Sequence, residues 1–146
     1  MSVNGEILKG TQKSISQMAK NINAAYQETK EERIKINAWE WENNFDFTIL
    51  GLIELYTSYV CGYASQIAIK GHVQDTQEAI THLQKIQFFD KPYFVNWFFS
   101  EDNEYVKVKE YVNKLNYLRL SALEYIAFYN NSYNESPTSL MPAATR

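Results

Sequence analysis

Glu78 and His82 stand one helical turn apart, the spacing at which a carboxylate and an imidazole can grip one metal ion such as zinc. Asp75 would share that side of the helix, and His72 precedes it. The same residues also fit a purely structural assignment. Asp75 with Glu78 matches a capping box, in which two side chains satisfy backbone N–H groups at a helix start. His82 is then an ordinary surface histidine. No Cys-x-x-Cys, His-Glu-x-x-His or calcium-loop pattern accompanies the group, so no metal site is expected.

Glu54 is the one formally charged residue between Phe47 and Ile69. A carboxylate buried there alone would be costly and would tend to take up a proton; with a partner it could serve as an acid or a ligand. A carboxylate-bridged dimetal bundle needs two Glu-x-x-His motifs, and the sequence has none. Cys61 has no histidine near it in sequence and lies among small residues, so it reads as a packing residue. There is no nucleophile elbow, phosphate loop or dinucleotide fingerprint. The chain is therefore expected to be no enzyme and to use no cofactor.

The elements that carry these residues read as helices almost throughout, because apolar residues recur at steps of three and four. Leu8, Thr11, Ile15, Met18, Ile22 and Ala25 form a narrow seam suited to one partner helix. The polar run QETKEER, residues 27–33, contains no breaker and is either a turn or the solvated part of a longer helix. Beyond it, Ile34, Ala38, Trp41, Phe45, Ile49, Leu52, Tyr56, Tyr59, Tyr63 and Ile67 are expected on one helical face. The segment from Phe47 to Ile69 is long enough to span a bilayer. Glu54, Gln66, its tyrosines and the lack of basic anchors favour instead a central bundle helix. Small residues at Ser58, Cys61, Gly62, Ser65 and Ala68 suggest a close helix crossing there. Gly71 is a plausible stop, Pro92 marks a further helix start, and Ser100 with Glu101 and Asp102 is expected to open the last helix. Its buried side is assigned to Val108, Val112, Leu115, Ala122, Ile126 and Tyr129, widened by Tyr111, Leu118 and Tyr125.

Aromatic residues make up 15% of the chain, and eleven of them are tyrosine. Tyrosine couples a large apolar ring to a polar tip and serves core edges and interfaces alike. In QFFDKPYFVNWFFS, residues 87–100, Phe94, Trp97 and Phe98 share a face and form a core plug, while Tyr93 and Phe99 point elsewhere. Trp39 and Trp41 diverge on a helix, so one of them should face away from the core. Tyr125, Tyr129 and Tyr133 form a ladder running off the last helix. The candidate interface residues are thus Trp39, Tyr93, Trp97, Phe99, Tyr125, Tyr129 and Tyr133.

At 146 residues, 45% of them hydrophobic, the chain can bury a core without staples. A net charge of −3 with no basic block argues against nucleic acid. One cysteine fits a reducing compartment, and no signal-peptide core opens the chain, so a cytoplasmic location is expected. The expected fold is an all-α antiparallel bundle of four or five helices, with a central apolar helix and a short aromatic helix capping it. It occupies residues 1–130, followed by a polar tail over residues 131–146. The expected function is non-catalytic: binding another protein or a second copy of the chain through aromatic anchors, as an adaptor, inhibitor, immunity or assembly subunit. The alternatives are membrane association through Phe47 to Ile69 or the aromatic segment, and a small enzyme or metal protein centred on Glu54 or Glu78 and His82.

Overall fold

Asn37 breaks the first helix and starts the second, and the way it does so sets the geometry of the bundle. In this computed structural model, which describes residues 3–42, 47–86, 91–100 and 105–134, α1 runs over Val3–Lys35 without interruption. The polar run at 27–33 is thus its solvated stretch. The Asn37 side chain then accepts the Glu40 N–H at 2.8 Å, capping the short helix α2, Ala38–Glu42. Ile36 before the cap and Trp41 after it are both buried, at the two positions of a hydrophobic staple. The single face expected from Ile34 to Ile67 is therefore cut by a corner, and Ile34 is 81% exposed.

The remaining helices are α3, Phe47–Lys70; α4, Thr76–Lys85; α5, Pro92–Phe98; and α6, Val106–Asn134. Residues that meet across the helix pairs fix the directions. Glu28 on α1 faces Lys114 on α6, while Met18 and Ile22 lie opposite Ser121 and Glu124, so α1 and α6 are antiparallel. Thr57 meets Tyr111 and Gly71 meets Tyr125, so α3 and α6 are parallel. Tyr63 meets His82 while Gln66 accepts from the Gln74 N–H just before α4, so α4 runs against α3 and hence against α6, to which the Leu83 carbonyl is tied by Arg119. The four longer helices form an up-down-up-down bundle, with α2 and α5 at its corners. Among the described residues there are six helices, more than the four or five expected, because each of two connections carries a short helix.

Four helices, α1, α2, α3 and α4, pack on α6, which makes it the hub. The more apolar α3 is not. Gly51, Glu54, Leu55, Ser58, Gly62 and Ile69 all face outward along it, so its scarcity of charge does not mean burial on every side. A Cβ added at Gly62 would meet nothing within 4 Å, so this glycine does not serve a close crossing. Among the described residues no helix is long and apolar enough to cross a membrane.

Local signals end and begin the later helices. Gly71 closes α3 with a φ of +80°, a conformation that favours glycine, and its N–H returns to the Ile67 carbonyl at 2.9 Å. Asp75 caps α4 by accepting the Glu78 N–H at 3.0 Å, as its spacing predicts. Pro92 occupies the first turn of α5, where a missing N–H costs nothing. Ser100 does not open α6. Its hydroxyl turns back to the Trp97 carbonyl at 2.8 Å, and the helix starts at Val106. Glu101, Asp102, Phe45 and residues 87–90 lie outside the described residues. So do residues 135–146; α6 itself continues past 130 to Asn134.

Tyr105, which precedes α6, is not a capping side chain of the usual kind. Glu40 of α2 supplies one: its Oε2 accepts the buried Val108 N–H at 3.2 Å. Glu40→Ala should therefore cost about 1–3 kcal/mol, the range for stranding a buried donor, whereas Glu40→Gln keeps an acceptor and should cost less. Urea unfolding of the two variants checks the order.

Tyr111 ties α6 to α3. Thr57 Oγ1 gives its hydrogen to the Ile53 carbonyl at 2.7 Å, so Tyr111 is the donor in the 2.8 Å contact with Thr57. Burial pushes this phenol up to about 12. Its contribution to stability is full below the ordinary tyrosine value of about 10 and is lost as pH rises from there through about 12. Tyr111→Phe should cost about 1 kcal/mol at neutral pH. That gap should narrow above pH of about 10 in denaturation curves, because only the wild type bears the cost of ionising a buried ring.

Candidate interaction surface

The predicted anchors separate into residues the bundle uses internally and residues it leaves outside. Tyr125 belongs to the first group. It is 1% exposed, and its hydroxyl donates to the Gly71 carbonyl. Tyr129 is half-buried and stacks on Tyr125 at 6.0 Å and on His72 at 6.4 Å. These two rungs clasp the end of α3, and Tyr125, expected at an interface, is an internal residue because the bundle buries its ring and supplies its hydroxyl with an acceptor. The Tyr133 side chain lies outside the described residues.

Trp39 is 41% exposed, yet one face of its indole lies flat on Tyr105, with centroids 5.6 Å apart and planes within 9°. Trp41 takes the inward role expected of one of the pair. Its Nε1–H donates to Glu54 at 3.0 Å, and the Arg33 guanidinium sits 3.8 Å above its ring. Glu54 is thus an exposed residue paired to an indole.

The aromatic segment divides as its spacing predicts. Phe94 is buried, Trp97 and Phe98 are half-buried around it, and the Lys109 ammonium lies 5.6 Å over the Trp97 ring. Tyr93 remains exposed, and Phe99 is 69% exposed at the end of α5.

A further set of exposed apolar residues was not among the predicted anchors. Tyr117 is 66% exposed, Leu120 50% and Phe128 36%, all on the outward face of α6. Steps of three and eight residues keep them on one side of a helix. The signal was present as a second stripe opposite Val112, Leu115 and Ala122, hidden because the first stripe explained the helix alone. Tyr117 also stands between two hollows in the α1–α6 seam, of about 150 and 180 Å³.

The residues weighed for chemistry do not converge. His82 Nδ1 is hydrogen-bonded to the Tyr63 hydroxyl at 2.6 Å, and the His82 ring lies 4.6 Å from that of Tyr59. Glu78 stands 4.0 Å away. Burial, and secondarily the charge on Glu78, pushes the Tyr63 phenol up. Next to this group is an open polar cleft of about 660 Å³ between the end of α3 and the start of α4. Among the described residues no three His, Cys, Asp or Glu side chains are placed to hold a metal ion.

Burial pushes the Cys61 thiol up to about 11. Alkylation by iodoacetamide at pH of about 8 should be at least tenfold slower in the native protein than in urea, because the thiolate is the nucleophile. Equal rates would contradict the burial.

No protein-family model matches the chain, and no curated protein or solved structure is significantly similar to it.

Proposed function

We propose that this chain is a non-catalytic protein-binding module of a reducing compartment such as the cytoplasm, and that it engages its partner through exposed aromatic side chains. The observation that carries this reading is the outward face of α6. Tyr117, Leu120 and Phe128 lie there in line on the bundle's hub helix, with the polar residues Asn113, Glu124 and Asn131 around them. Rigid aromatics supply large contact area at little entropic cost, and a polar rim limits non-specific adhesion. Phe99 and Tyr93 at the end of α5 offer a second, smaller group. The chemistry-bearing residues support the non-catalytic half of the reading, since each is tied up within the fold: Glu54 by Trp41, His82 by Tyr63, Cys61 by burial.

Affinity capture from the native host, with mass measurement of the recovered complex, tests this. The variant carrying Tyr117→Ser, Leu120→Ser and Phe128→Ser should keep its helical spectrum and lose its partner by about tenfold or more in affinity. A partner held equally by that variant and by one carrying Tyr93→Ser and Phe99→Ser would refute the aromatic-anchor reading.

A further inference from the structure

The α6 face does not stand alone, because α1 runs antiparallel beside it and the seam between them is incompletely filled. Two hollows interrupt that seam, one on each side of Tyr117. The first lies between Met18 and Ile22 of α1 and Ser121 and Glu124 of α6, and the second between Ala25 and Thr29 of α1 and Asn113 of α6. From the residues that line them, the hollows are six to seven positions apart along both helices, which is about 10 Å at the helical rise.

That separation discriminates between kinds of occupant. Same-side residues of an extended strand recur at about 7 and 13 Å, so a strand filling one hollow misses the other. Helix positions i and i+7 are about 10.5 Å apart and match both, with i+3 and i+4 straddling the Tyr117 ring between them.

Charge selects further. In the second hollow Glu28 and Lys114 answer each other at 3.6 Å. In the first, Glu124 is exposed on the rim, and among the described residues it has no ion-pair partner. Its remaining polar neighbours are Asn21 and Ser121, which carry no charge.

We propose that the α1–α6 seam receives an amphipathic helix of the partner protein, with apolar side chains at i and i+7 in the two hollows and a basic side chain at Glu124. This rests on the binding-module reading above and specifies its partner. The mode is helix-in-groove recognition, in which a short series of anchors carries affinity and a rim charge fixes register.

The test selects displayed peptides of about four helical turns, randomised along one face, against the full-length protein. Selected peptides should be helical, apolar at i and i+7, and carry Lys or Arg beside the first anchor. Ser121→Trp, which fills the first hollow, should weaken them by about tenfold or more. Glu124→Lys should reverse the preference from basic to acidic peptides, and it keeps the proposal testable if the tryptophan variant does not fold. Failure to select any peptide, selection of sequences indifferent to both substitutions, or a basic preference that survives Glu124→Lys would overturn the proposal. So would sedimentation showing a dimer that Glu124→Lys dissociates, since the occupant would then be a second copy. A captured partner that ignores both substitutions but is lost with Tyr93 and Phe99 would sink this site and leave the binding function standing.

Discussion

A carboxylate from a five-residue helix closes the start of the helix on which the bundle is assembled. The first turn of any helix presents N–H groups with no partner inside the helix, and a buried first turn cannot leave them to water. Val108 stands at that place in α6, and Glu40 reaches it from α2. Placing Glu40 there requires a corner after α1, and Asn37 makes that corner by capping α2 through the Glu40 N–H. The same short helix lays Trp39 on Tyr105, puts Trp41 under Arg33 of α1, and ties Trp41 to Glu54 of α3. Three of the four long helices are thus fixed relative to one another at a single node. A helix this short has negligible stability alone, so its contacts hold it as much as it holds them.

Much of this was legible in the sequence where a local rule dominates. The stop at Gly71, the cap at Asp75, the entry at Pro92 and the inward set around Phe94 follow from backbone geometry and helical period, which need only neighbouring residues. The corner at Asn37 was missed because the 3/4 spacing continues through it. Trp41 falls on the extrapolated face of α1 and is buried for a different reason, as part of a new helix. Ser100 misled in the opposite way: a good capping residue followed by two acids describes a helix start, yet its hydroxyl closes the helix before it. Competing uses of one residue cannot be ranked from sequence when both are local.

The candidate surface was less legible than the fold for a physical reason. Burial on one side of a helix is enforced by the core, but nothing enforces what the other side must be. A second apolar stripe on α6 therefore adds nothing to a prediction of the helix, and its content appears only once Tyr117 is seen at 66% exposed. The converse holds for Tyr125, whose place at the start of a tyrosine ladder suggested an interface. Its partner is the carbonyl of a glycine 54 positions away, a contact no periodicity encodes.

The tyrosine hydroxyls explain how one residue type fills both roles. Tyr111 donates to Thr57, Tyr125 donates to the Gly71 carbonyl and Tyr63 is bonded to His82 Nδ1, and each of these bonds ties one helix to another or to its end. A buried phenol without such an acceptor would carry a desolvation cost that its ring could not repay, so internal tyrosines are those that the fold supplies with an acceptor. Tyr117 stands at the edge of α6 beside α1, 66% exposed and between two hollows rather than over a carbonyl. Its ring can gain burial only from something that comes to the seam, and its hydroxyl can stay in water while that happens. An exposed tyrosine thus leaves a polar tip at the position where an exposed phenylalanine would add to an already apolar stripe.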